Sequence, residues 1–149
     1  MELEELIAKF AEAANLDGVA PVNGVWKFSA DGNVFGATAD EAGENVWLFG
    51  EINNVNPEKR DALVKAAMEA NYFHRGTAGA TFSLNPDTGA LTLVASRRLD
   101  ALDEEAFFAF VEKFVNSLSA WNGVSSQTSA SEPAPEPTQP EKWFNGLMV

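Results

Sequence analysis

The 149-residue chain has no cysteine, one histidine and one tyrosine. Without thiols there is no disulfide framework, no thiolate metal site and no cysteine nucleophile. The lone histidine, His74, has no serine or cysteine constellation around it in sequence, and a metal site would have to rest on carboxylates alone. Positive charge is scarce: 10 Lys and Arg stand against 22 Asp and Glu, for a net charge of −12. Such a field repels phosphate backbones and anionic membrane surfaces and attracts basic protein segments, so nucleic acid is not an expected partner. No apolar run approaches the roughly 20 residues needed to span a bilayer, so membrane insertion is not expected either. The opening "MELEELIAKF" is acidic and amphipathic, unlike a signal peptide, and the chain reads as cytoplasmic.

A phosphate loop is missing as well. "GTAGATFSLN" (76–85) follows a helical pattern and precedes a strand, which reverses the order a phosphate cradle needs. It has no Walker lysine and no third glycine opening a helix, and Gly76 reads as the residue that ends the preceding helix. The carboxylates fall mostly in "ELEE" and "DEE", where solvation and helix N-termini account for them. A pair such as Glu44 and Glu51 is all that acid–base chemistry could use, and nothing singles it out. We expect no enzyme, no catalytic residue, no cofactor and no metal.

What the chain does have is apolar surface, with 46% hydrophobic residues including 4 Trp and 11 Phe. Leu3, Leu6, Ile7, Phe10 and Ala14 form one stripe on a first helix. "VWKFS" and "VFGAT" flank Asp31-Gly32-Asn33, a hairpin signal, and "VWLFGEI" is a third strand with apolar residues on both faces. A second helix starts at Asn56-Pro57 and runs to about Asn71. A second hairpin turns at "NPDTG", and Phe107, Phe110, Val111, Phe114, Leu118 and Trp121 stripe a third helix. Trp26, Phe28, Phe35, Trp47 and Phe49 cannot all lie beneath one helical layer. Either a homodimer interface covers the surplus, or it lines a groove for an extended peptide, with a strand edge for hydrogen bonds and aromatic pockets for alternate side chains.

The order α-β-β-β-α-β-β-α resembles the type III secretion chaperones of the Tir-chaperone (CesT-like) family. The likeness rests on "VWLFGEINNVNPEKRDALVKAAMEANYF" and "GTAGATFSLNPDTGALTLVASRRLDALDEEAFFAFVEKFVNSLSAW". It covers about residues 1–121 as one α+β domain, a twisted antiparallel sheet with three helices. It implies a homodimer that binds the N-terminal region of a secreted effector, or a secretion regulator, in extended form and keeps it secretion-competent. By position it implies a partner-binding set of Leu6, Ile7, Phe10, Trp26, Phe28, Phe35, Trp47 and Phe49. Leu63, Ala67 and Ala70 would form the dimer surface.

One segment departs from the family pattern. Residues 122–142 hold four of the seven prolines and read as a flexible linker, spanning about 25 Å root-mean-square. The apolar "WFNGLMV" (143–149) follows, with Trp143, Phe144, Leu147 and Met148 expected to dock in an apolar groove. Sequestration of a secretion regulator or anti-activator is the alternative to effector escort, and a small carboxylate-dependent enzyme is a distant third.

Overall fold

A computed structural model describes residues 2–129 apart from Asp31 and Asn54; the expected docking residues Trp143, Phe144, Leu147 and Met148 lie outside that range. The elements are α1 (Leu3–Ala13), β1 (Trp26–Ala30), β2 (Asn33–Ala39), β3 (Asn45–Glu51), α2 (Arg60–Asn71), β4 (Thr81–Leu84), β5 (Leu91–Arg98) and α3 (Glu104–Ser129). The strands form one antiparallel sheet in the order β1-β2-β3-β5-β4. This is the α+β architecture expected from the sequence.

Local chemistry sets the element ends. Asn56 caps the second helical segment, its Oδ1 accepting from the Glu58 N–H at 3.0 Å, and Pro57 opens a 3₁₀ turn leading into α2. In the β4–β5 turn, Asn85 Oδ1 accepts from the Asp87 N–H at 2.9 Å and Gly89 takes φ +74°. Arg60 at the start of α2 donates to the Gly89 carbonyl and ties helix to hairpin.

Side-chain alternation divides the sheet into two unlike faces. Phe28, Phe35, Ala37, Val46, Leu48, Leu93 and Phe82 point to one side, where they meet Leu3, Leu6 and Ile7 of α1 and the α3 stripe from Phe107 to Trp121. Gly50 belongs to this side, and an added Cβ there would lie 2.7 Å from Leu118 Cδ2 and 3.1 Å from the Val34 carbonyl oxygen. Leu63, Ala67 and Ala70 of α2 join the same core.

The 76–80 segment lies between α2 and α3. Trp121 Nε1–H donates to the Gly76 carbonyl at 2.8 Å, and the buried Ser117 hydroxyl donates to the Thr77 carbonyl at 3.0 Å. The Gly76 N–H closes back on the Ala70 carbonyl at 3.1 Å. Gly76 is needed for space: an added Cβ would sit 2.9 Å from Ala70 Cβ. Left-handed backbone is taken before this segment by Phe73 (φ 52°) and His74 (φ 57°) and within it by Ala78 (φ 54°) and Gly79 (φ 90°); for the three residues with a Cβ it is costly.

α3 continues eight residues past Trp121, so 122–129 are helical where composition predicts a linker. Asn122 explains how the extension is anchored. Its Oδ1 accepts from the Asn53 N–H at 2.9 Å and its Nδ2–H donates to Asn33 Oδ1 at 2.7 Å. A helix already nucleated and held at its end propagates at little further cost.

Candidate partner-binding face

The sheet has a second face, and among the described residues no helix covers it. It carries Lys27 and Ser29 from β1, Val34, Gly36 and Thr38 from β2, Trp47, Phe49 and Glu51 from β3, and Thr92, Val94 and Ser96 from β5. Phe49 is paired with Gly36, and the far end of its ring lies over that glycine: an added Cβ would stand 2.6 Å from Phe49 Cζ. A glycine inside a strand marks such a close approach, and here it lets an aromatic ring form a ridge on the open face.

On one side of Phe49, the 16–25 connection and β1 enclose a cleft of about 670 Å³, lined by Leu16, Val19, Val22, Val25, Lys27 and Phe49. The Thr38 hydroxyl donates to the Gly24 carbonyl at 2.9 Å and holds this connection over the sheet corner. On the other side, Val34, Phe49, Glu51, Asn53, Asn85 and Thr92 line a hollow of about 390 Å³. Trp47 stands further along β3, 39% exposed. These are features an extended chain can use: hollows either side of a ridge, apolar walls, and one cation, Lys27, at their junction.

The expected partner-binding residues therefore separate into two groups. Trp47 and Phe49 are on the open face. Leu6, Ile7, Phe28 and Phe35 are buried in the protomer's core, with Phe28 stacked on Phe35 at 5.2 Å. Their placement follows from register: Trp26↔Ala37 and Phe28↔Phe35 fix β1's aromatics on the helical side. Phe10 and Trp26 are half-buried at the margin of that core, with Phe10 edge-on to Phe28 and to Phe108. Val34, Lys27 and Thr92 escaped the sequence reading. Gly36 inside "VFGAT" was the available signal for them.

The expected dimer residues are buried within the protomer. Leu63, Ala67 and Ala70 pack inward, because α2 uses that face to cover its own sheet. The exposed apolar side of α2 carries Met68 instead, followed one turn later by Tyr72 and by Phe73, which is 75% exposed. The Tyr72 and Phe73 rings meet edge-on at 4.7 Å, and the Arg75 guanidinium lies over Tyr72.

No group of three or more His, Asp or Glu able to hold a metal occurs among the described residues. His74 Nδ1 lies 2.7 Å from the Ala80 carbonyl oxygen, within the segment that joins α2 to β4. No helix of the described residues is long and apolar enough to cross a membrane.

The family model described as the Tir chaperone protein (CesT) family matches residues 5–122. The chain belongs to that family. No curated protein matches its sequence. Among solved structures it is similar to a chain of the HopA1–SchA chaperone–effector complex, with 15% identity, a TM-score of 0.63, and coverage of 80% of this chain and 92% of that one. It is similar to a chain of the ExsC–ExsE complex, with 18% identity, a TM-score of 0.64, and 84% and 97% covered. A chain of the ExoT–SpcS complex from Pseudomonas aeruginosa follows at 14% identity and a TM-score of 0.58, with 77% and 92% covered. At these identities the likeness establishes the fold, and family membership supports an effector-binding chaperone.

Proposed function

We propose that this family member is a cytoplasmic type III secretion chaperone that binds the N-terminal region of a secreted effector in extended form across the open sheet face. The observation that carries this reading is the Phe49–Gly36 ridge flanked by two hollows, on a face that no described helix covers. An extended segment presents side chains alternately, and hollows on both sides of a ridge suit that spacing. The net charge of −12 favours basic segments and speeds their capture. Binding of this kind needs no cofactor and no covalent step.

The chaperone acts as a homodimer through the outward side of α2, with Met68, Tyr72 and Phe73 at its centre. Two copies of the face within one particle bind a single long segment more tightly than either alone, by effective concentration. The test is Trp47→Glu. Because Trp47 is already partly exposed, the variant folds and dimerises as the parent does, while partner capture falls by at least about a hundredfold, on the order of 3 kcal/mol. Unchanged capture contradicts the assigned face. Loss of folding returns Trp47 to the core.

A further inference from the structure

The hollow between Val34 and Thr92 adjoins the point where α3 leaves the domain. Asn53 lines that hollow, and Asn53 is the residue whose N–H is held by Asn122 of α3. Seven more helical residues, about 10 Å at 1.5 Å per residue, bring the chain to Ser129. Thirteen residues then separate Ser129 from Trp143. They reach about 40 Å even as polyproline, roughly twice the width of the five-stranded sheet. A chain of that length is long enough to bring the apolar segment "WFNGLMV" to this open hollow of its own protomer.

We propose that residues 143–149 dock in the Val34–Phe49 hollow of the same protomer and occupy it until a partner segment displaces them. The inference rests on the reading of this face as the partner site and adds a built-in competitor to it. Charge supplies the direction of exchange. The segment carries no charged side chain, the Glu141–Lys142 pair just before it is neutral, and it gains little from the acidic domain, whereas a basic partner segment gains from the whole field. A tethered segment acts at an effective concentration on the order of millimolar, so weak docking suffices to keep the hollow covered.

The absence of cysteine makes the test direct. In the full chain, Asn145→Cys with Val34→Cys should oxidise to an intramolecular cross-link at least about ten times faster than Asn145→Cys with Glu112→Cys, which places the second thiol on the helical side. Equal rates, or cross-links only between chains, overturn the proposal. A labelled peptide of residues 140–149 gives a second reading: it should bind the full-chain double variant Trp143→Ser/Leu147→Ser at least about tenfold more tightly than the parent, where the tethered copy competes. Equal affinity overturns the proposal. Both measurements are made without a partner. A cross-link that forms in a protein whose Trp47→Glu variant still captures its partner therefore refutes the functional reading and leaves the docking standing.

Discussion

Phe49 lies across Gly36, and Gly50, the next residue of the same strand, faces Leu118 on the opposite side of the sheet. These two glycines separate the site from the core. At Gly36 an added methyl meets the tip of a half-buried ring that can swing toward solvent, so Gly36→Ala should cost at most about 1 kcal/mol of stability while weakening partner binding. At Gly50 it meets a fully buried leucine and a backbone carbonyl, and Gly50→Ala should cost about 1–3 kcal/mol. Chemical denaturation of both variants checks the contrast; equal losses would mean that the ridge is part of the core. Trp121 gives a third residue-scale test. Replacing it with Phe removes the donor to the Gly76 carbonyl and should cost about 1–3 kcal/mol. Amide exchange in residues 76–80 should quicken with it.

At the scale of elements, most of the architecture was legible and the sharing of surfaces was not. The β1–β2 turn at Gly32, the Asn56-Pro57 start, the "NPDTG" hairpin and the α3 stripe each carry local chemistry that allows one outcome. Which side of a doubly apolar element meets the core is decided by register and by neighbours. β1's aromatics went to the helical side because Phe28 pairs with Phe35, and α2 turned Leu63, Ala67 and Ala70 inward because its small residues lie close against the sheet. One turn has a pH signature. Asn45's side-chain amide, with the N–H groups of Glu44, Asn45 and Gly43, holds the Asp40 carboxyl below its usual value of 3.8. The unfolded chain therefore takes up the proton first, so the β2–β3 turn keeps this support above about pH 4 and loses it as pH falls through the lowered value. Protection of the Glu44 and Asn45 amides, measured against the intrinsic exchange rate at each pH, should fall in acid in the parent and be low at every pH in Asp40→Ala.

At the scale of the whole molecule, the proposed function assigns separate duties to two surfaces: the open sheet face to a partner and the outward side of α2 to a second copy. Phe73→Asp should yield a folded monomer by sedimentation equilibrium, because it adds charge to an exposed apolar patch without touching the core. A dimer that survives would place the interface elsewhere. The central claim, that a secreted protein's N-terminal segment lies on the Phe49 ridge, is met most directly by hydrogen exchange on the chaperone purified with its native partner and again without it. The account predicts protection concentrated in β1 and β3 around Lys27, Trp47 and Phe49, lost in Trp47→Glu, with the partner's protected residues near its own N-terminus. Protection confined to α2 and β4, or unchanged in Trp47→Glu, would contradict it.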